Sequence, residues 1–210
     1  LSDIPNNAFI NCNKLETVLL PDDLKTIGEN AFKYCSSLIN ITIPDGVTSV
    51  GDNAFYDCEM LESIVMPDSV TYSGASLFSN CKSLKNVVLS KNITSLSNNV
   101  VFGVGGYFEN CENLTSITIP KKINEIENCS FRNCKNLESI IIENPECIIY
   151  DSAITISNGY DEDYNYYFNG TIYGYEDSTA QAYAEKYGYA FELIGNEPAQ
   201  TTPAVTTAAT

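Results

Sequence analysis

The side chains able to do chemistry in this 210-residue chain are few in kind: eight cysteines, 27 acidic groups against 11 basic ones, fourteen tyrosines and no histidine. Without histidine there is no imidazole to activate a serine or cysteine nucleophile, and the favoured zinc ligand is missing. No cysteine pair has the close C-x-x-C spacing of a zinc or redox site, and no paired carboxylates, nucleophile with a base or phosphate-cradling glycine loop is recognisable. The chain is therefore expected to be non-catalytic and to need no cofactor. One metal motif is partly present. Asp161, Asp163 and Asn165 open a D-x-D-x-N calcium loop, but Tyr166 stands where the turn glycine belongs and Ile172 where the bidentate glutamate belongs. A solvated acidic loop is the competing reading. A net charge of −16 repels phosphate backbones and anionic headgroups, so neither a nucleic-acid partner nor membrane insertion is expected.

The cysteines acquire a meaning from their period. Phe9, Phe32, Phe55, Phe78, Phe108 and Phe131 recur every 23 residues, with one interval of 30. Three residues after each Phe stands Cys12, Cys35, Cys58, Cys81, Cys111 or Cys134, and three further on Leu15, Leu38, Leu61, Leu84, Leu114 or Leu137. A buried thiol ladder explains six cysteines in one apolar register. Cys129 and Cys147 lie outside it, and a disulfide involving either is the alternative for those two. Beyond the Leu, two β-branched or apolar residues at period two, as in Ile41 and Ile43, read as a short strand, and Pro21, Pro44, Pro67 and Pro120 end it. Gly28, Gly51 and Gly74 are expected at tight or left-handed corners, and the Ala31–Phe32 and Ala54–Phe55 pairs are expected to start short helical segments. A unit of 23 residues buries too little to fold alone, so identical units must stack.

The pattern A-F-x-x-C-x-x-L-x-x-I-x-I-P, intact at Ala31, Phe32, Cys35, Leu38, Ile41, Ile43 and Pro44, resembles the BspA-like leucine-rich repeat family of bacterial surface proteins. The resemblance implies an α/β-type solenoid: a right-handed superhelix of short parallel strands joined by helical or turn segments and closed by a C-terminal cap. Residues 1–150 are assigned to the solenoid, 151–195 to the cap and 196–210 to a Thr/Pro/Ala-rich linker. Within the cap, Ser178 and Gln181 have the spacing of a capping box, a helix should end at Gly188, and Phe191 with Leu193 should form a last strand. Ile4 precedes Phe9 as Ile27 precedes Phe32, so the array is expected to extend upstream.

Two surfaces emerge as candidates. Alternate strand positions should face away from the core: Thr17 and Leu19, Asn40 and Thr42, Ser63 and Val65, Asn86 and Val88, Ser116 and Thr118, Ser139 and Ile141. None is charged, and such a strip docks a partner without desolvating ions. That these are merely good strand formers is the plain alternative. The insertion from Asn98 to Gly106 could project Phe102 as a contact or fold it onto the core. Ten tyrosines fall between Tyr150 and Tyr189; most should pack in the cap, leaving Tyr160, Tyr164, Tyr166 and Tyr167 in a polar loop. The resemblance implies an extracellular or cell-surface adhesion-type module, a monomer, holding a protein or glycan partner on its repeat face. The runner-up is a structural spacer in a secreted assembly, attached through a further module such as a dockerin.

Overall fold

The described repeat turns have three sides, and along most of the array each side is hydrogen bonded to the same side of the next turn. The computed structural model describes residues 1–97 and 105–195. Its strands, in chain order, are β1 (Asp3–Ile4), β2 (Thr17–Val18), β3 (Thr26–Ile27), β4 (Asn40–Ile41), β5 (Ser49–Val50) and β6 (Ser63–Val65). There follow β7 (Tyr72–Ser73), β8 (Asn86–Val88), β9 (Ser95–Leu96), β10 (Ser116–Ile119), β11 (Glu125–Ile126) and β12 (Ser139–Ile142). The last are β13 (Ile148–Ile149), β14 (Gly159–Tyr160), β15 (Tyr166–Tyr167), β16 (Thr171–Gly174), helix α1 (Thr179–Tyr187) and β17 (Ala190–Leu193). The first side comprises the sheets β2-β4-β6-β8 and β10-β12-β16-β17, and the second comprises β1-β3-β5-β7 and β9-β11-β13. All these pairs are parallel, in registers such as Thr17↔Asn40, Asn40↔Ser63 and Ile27↔Val50 that repeat the 23-residue spacing.

The third side carries the Phe and Cys markers, and it is built of turns. This corrects the expectation of helical segments at Ala31–Phe32 and Ala54–Phe55: α1 is the one α-helix among the described residues. The residues two before and two after Phe9, Phe32, Phe55, Phe78 and Phe131 take left-handed conformations, as at Asn7 and Asn11, Asn30 and Tyr34, Asn53 and Asp57, and Ser76 and Asn80, whereas before Phe108 the left-handed residue is Gly105. Asn and Asp tolerate that region best because their short polar side chains bond locally. These kinks aim backbone groups along the solenoid axis. The Phe9 N–H donates to the Ala31 carbonyl at 2.8 Å, Phe32 to Ala54 at 2.8 Å and Phe108 to Ser130 at 2.8 Å. Gly28, Gly51 and Gly74, by contrast, are not left-handed; of the two expected roles only the tight one holds. A Cβ on Gly51 would lie 2.5 Å from the Glu29 backbone nitrogen, so adjacent turns approach too closely for a side chain.

Inside, the six phenylalanines form one stack, with centroids 5.1, 5.6, 5.8, 5.5 and 5.4 Å apart and planes within 17°. All are fully buried except Phe9 at the N-terminal end. Beside the stack runs the thiol ladder. Cys35 Sγ donates to the Phe9 carbonyl at 3.1 Å, Cys58 to Phe32 at 3.2 Å, Cys81 to Phe55 at 3.1 Å, Cys111 to Phe78 at 3.2 Å and Cys134 to Phe108 at 3.2 Å. A residue here must be small, apolar and able to donate one weak hydrogen bond to the preceding turn, which is a description of cysteine. All eight cysteines are free thiols, Cys129 and Cys147 included. Burial pushes Cys35 up to about 11 and Cys147 to about 12, and raises Cys58, Cys81, Cys111 and Cys134 as well.

A raised folded-state pKa means the unfolded chain sheds its thiol protons first. The corresponding stability is complete below the ordinary thiol value of 9.0 and is lost as pH climbs through the folded values. The melting temperature should therefore fall steadily above pH 9, with a smaller slope in Cys58→Ala. In the native protein at pH 8, iodoacetamide should modify the exposed Cys12 alone, and all eight thiols after denaturation. Rapid native labelling of Cys81 or Cys111 would refute the ladder.

The C-terminal segment extends one side and covers another. β16 and β17 add two strands in parallel register, Ser139↔Thr171 and Ile172↔Phe191. Helix α1 starts at Ser178, whose side chain accepts from the Gln181 N–H at 3.2 Å, and ends at Gly188 with φ 71°. It buries Ala180, Tyr183 and Ala184 over the last turn, where Thr179 Oγ1 donates to the Cys147 carbonyl at 2.6 Å and Tyr183 donates to that of Ser152 at 2.7 Å. Leu193 is left 46% exposed on the outer strand.

Candidate binding surfaces

The outward residues of the first side form two parallel rows. Thr17, Asn40, Ser63 and Asn86 lie in register along β2, β4, β6 and β8, and in the second row Val65 pairs with Val88 while Leu19 and Thr42 follow just beyond the ends of β2 and β4. Leu19 is 91% exposed, Val65 40% and Val88 41%; Thr17, Asn40 and Thr42 are exposed, while Ser63 and Asn86 are half-buried. The rows are interrupted between β8 and β10, which belong to separate sheets. Past that break Ser116 and Thr118 are half-buried, and Ser139 and Ile141 are buried, as is Tyr173 on β16. The accessible strip is therefore the N-terminal four strands. Paired charges rim it, Glu62 with Lys85 at 3.9 Å and Asp68 with Lys91 at 3.7 Å. An uncharged centre with an ionic rim is the anatomy of a protein-docking face. Phe102 lies outside the described residues.

A non-equivalent pair of side chains lies beside the break. Ser73 occupies the position held by Ile27, Val50 and Leu96 in other turns, and Tyr107 the position held by Ala31 and Ala54. The buried Tyr107 ring reaches toward the previous turn and its hydroxyl bonds Ser73 Oγ, so a large-for-small exchange is compensated by a small-for-large one. Next to it, β7 and β9 do not pair, and a cleft of about 330 Å³ opens between Tyr72, Asp52, Thr94, Ser95 and Ser97. Asp52 Oδ1 already accepts from the Ala75 N–H at 2.9 Å and the Tyr72 hydroxyl at 3.3 Å. The cleft thus presents hydroxyls and one engaged carboxylate, not an acid–base pair. Above the break, Glu109 is 4% exposed in its side chain; one oxygen accepts from the N–H groups of Gly105 and Gly106, and the other from Arg132.

The second candidate lies on hairpin β14–β15. Asp161, Asp163 and Asn165 form its tip, and Asp161 is engaged by the turn itself. Asp161 Oδ1 accepts from the N–H groups of Asp163 and Asn165, both at 2.9 Å, and Oδ2 accepts from Asn165 Nδ2 at 2.9 Å. The carboxylate closes the turn, and these bonds hold it below the ordinary Asp range. Among the described residues no three acidic, cysteine or histidine groups gather as metal ligands. Tyr164 is 74% exposed, Tyr160 50% and Tyr167 40%, and Tyr166 is half-buried. Tyr150 and Tyr175, expected in the cap, are exposed too, at 51% and 46%. Tyr183, Tyr187 and Tyr189 pack with one another, and Tyr189 also with Phe168.

Stacked parallel strands, an outward uncharged strip and an interior of translated side chains define a solenoid repeat protein of the leucine-rich type. The family model described as BspA type leucine rich repeat region matches in six copies over residues 2–104 and 105–171, and the chain belongs to that family. Leucine-rich repeat proteins of this class are protein-interaction modules. Among solved structures, the chain is similar to a Treponema pallidum leucine-rich repeat protein at 24% identity and TM-score 0.64, covering 91% of this chain and 79% of the other. It is also similar to a leucine-rich repeat protein from Eubacterium ventriosum, at 27% identity and TM-score 0.51, covering 71% and 40%. A leucine rich cell surface protein from Faecalibacterium prausnitzii matches at 26% identity and TM-score 0.48, covering 70% and 52%. The chain thus spans about half the length, or less, of the latter two. No curated protein is significantly similar to it.

Proposed function

We propose that this chain is a non-catalytic, secreted or surface-displayed adhesion-type module that binds a protein partner on the strip formed by β2, β4, β6 and β8. The observation that carries the reading is the strip itself: eight outward positions without a charge in a chain of net charge −16, with Leu19, Val65 and Val88 exposed. Exposed apolar groups surrounded by hydroxyls and amides bury against a partner at little desolvation cost. The family membership supports a binding role, and the extracellular location follows the resemblance of the repeat to those of bacterial surface proteins.

The triple variant Thr42→Glu, Val65→Glu and Val88→Glu tests it. Wild-type protein should retain a saturable partner from a cell-surface extract, identified by mass spectrometry. The variant should bind that partner at least ~100-fold more weakly, since each carboxylate would be buried unpaired. Its melting temperature should move little, because all three positions are exposed. Retention by the variant equal to wild type, or no partner for either, overturns the reading; the latter outcome is what a spacer would give.

A further inference from the structure

We propose that the tip of hairpin β14–β15 is a second docking point and that its occupant is a lysine- or arginine-bearing segment of a protein partner, an inference that rests on the reading of the chain as a protein-binding module. The hairpin is an excursion from the solenoid. Thr171 pairs with Ser139 at a separation of 32 residues where the repeat requires 23, and the surplus of nine is the length of Gly159–Tyr167. The ladder closes without it, so the stacking of turns gives no account of its aromatic composition.

The tip is held by its own hydrogen bonds and exposed to solvent. Tyr160 stacks on Tyr164 with centroids 5.7 Å apart and planes at 12°, and it meets Tyr166 at 5.7 Å and 57°, so the three rings form one cluster whose outer member, Tyr164, leaves a ring open to solvent. Asp161 holds the turn as described, the Tyr164 N–H donates to the Asp161 carbonyl at 3.1 Å, and Tyr164 takes a left-handed conformation at φ 61°. Gly159 is required because the Tyr167 ring lies over it, 2.4 Å from where a Cβ would sit. A ring cluster held in this way loses little conformational freedom on binding.

The surrounding charge selects the ligand. Glu162 and Asp163 are exposed beside the rings, and their carboxylates accept no hydrogen bond from the described residues, unlike that of Asp161. The nearby cations are engaged with carboxylates, Arg132 with Glu109 and Lys135 with Glu112 at 2.9 Å. An ammonium or guanidinium group is attracted to the faces of tyrosine rings and to the adjacent carboxylates together, and a chain of net charge −16 draws basic segments toward it. A neutral sugar would use the rings but not the acids.

The test titrates the full chain with a fluorescent peptide of alternating lysine and glycine, against a serine–glycine peptide and chitohexaose. The lysine peptide should bind in low salt and weaken as salt rises. The pair Tyr160→Leu and Tyr164→Leu should weaken it about fivefold or more, as should Glu162→Gln with Asp163→Asn, whereas Asp22→Asn with Asp23→Asn, equal in charge but on a repeat turn, should change it less than twofold. Circular dichroism melts, unchanged for these exposed sites, confirm folding. Equal peptide affinity in the tyrosine pair and wild type overturns the inference, as does tip binding by chitohexaose instead of the lysine peptide. The strip variant should bind the peptide normally, so loss of its surface partner and failure of the hairpin are separate results.

Discussion

Phe55→Ala is expected to lower stability by about 3–5 kcal/mol, among the largest effects of a single truncation in the repeats. The ring is fully buried between Phe32 at 5.6 Å and Phe78 at 5.8 Å, so its removal leaves a cavity in the middle of the stack that neither neighbour can fill without leaving its own turn. A solenoid's stability is the sum of weak turns and strong interfaces, and a void at one interface uncouples the array on either side. A chain of this length should lose roughly 10 °C in melting temperature, and its transition should broaden. Hydrogen exchange should accelerate first in the turns carrying Phe32 and Phe78. Phe9→Ala, at the half-buried end of the stack, provides the contrast and should cost less than half as much. Equal losses at the two sites would show that the stack does not act as a continuous column.

Glu109→Ala should be comparably damaging, by about 3–5 kcal/mol, for an electrostatic reason. Its carboxylate is the partner of Arg132, whose side chain is 15% exposed, and the acceptor for the N–H groups of Gly105 and Gly106. Deleting it removes the carboxylate beside a mostly buried cation and the acceptor of two backbone donors together. Replacing both members, as in Glu109→Leu with Arg132→Met, removes the uncompensated charge and should recover part of the loss relative to the single variant. The two chemical denaturation midpoints decide the matter. A double variant less stable than the single would mean that packing of the arginine stem, not the ion pair, is what holds this turn.

The repeats were legible because stacking converts a sequence period into a contact rule. Residues 23 apart are spatial neighbours, so a recurring Phe, Cys or Leu specifies its own partners, and the ladders of Phe32, Cys35 and Leu38 follow from spacing alone. The strip was legible for the same reason, through strand alternation at Thr42, Val65 and Val88. Glycine was read less well. Gly51 is required by the approach of Glu29 from another turn, and the left-handed positions went to Asn30 and Asn53, a division that depends on the path of the neighbouring chain. The compensating exchange of Ser73 and Tyr107 spans 34 residues rather than 23, so the period does not connect the two.

What the sequence determined by itself was the translation: a 23-residue unit too small to stand alone, a thiol and a ring in its interior, an uncharged outer face, and a helix with its caps at Ser178 and Gly188. Only the tertiary structure decided where the translation fails. It parted β7 from β9 behind the Tyr107 ring, buried Ser139 and Ile141 at one end of the strip, and set nine surplus residues out as a tyrosine hairpin. Local spacing encodes contacts between equivalent positions, whereas a defect is accommodated by whichever non-equivalent groups lie nearest in three dimensions, and those are set by packing.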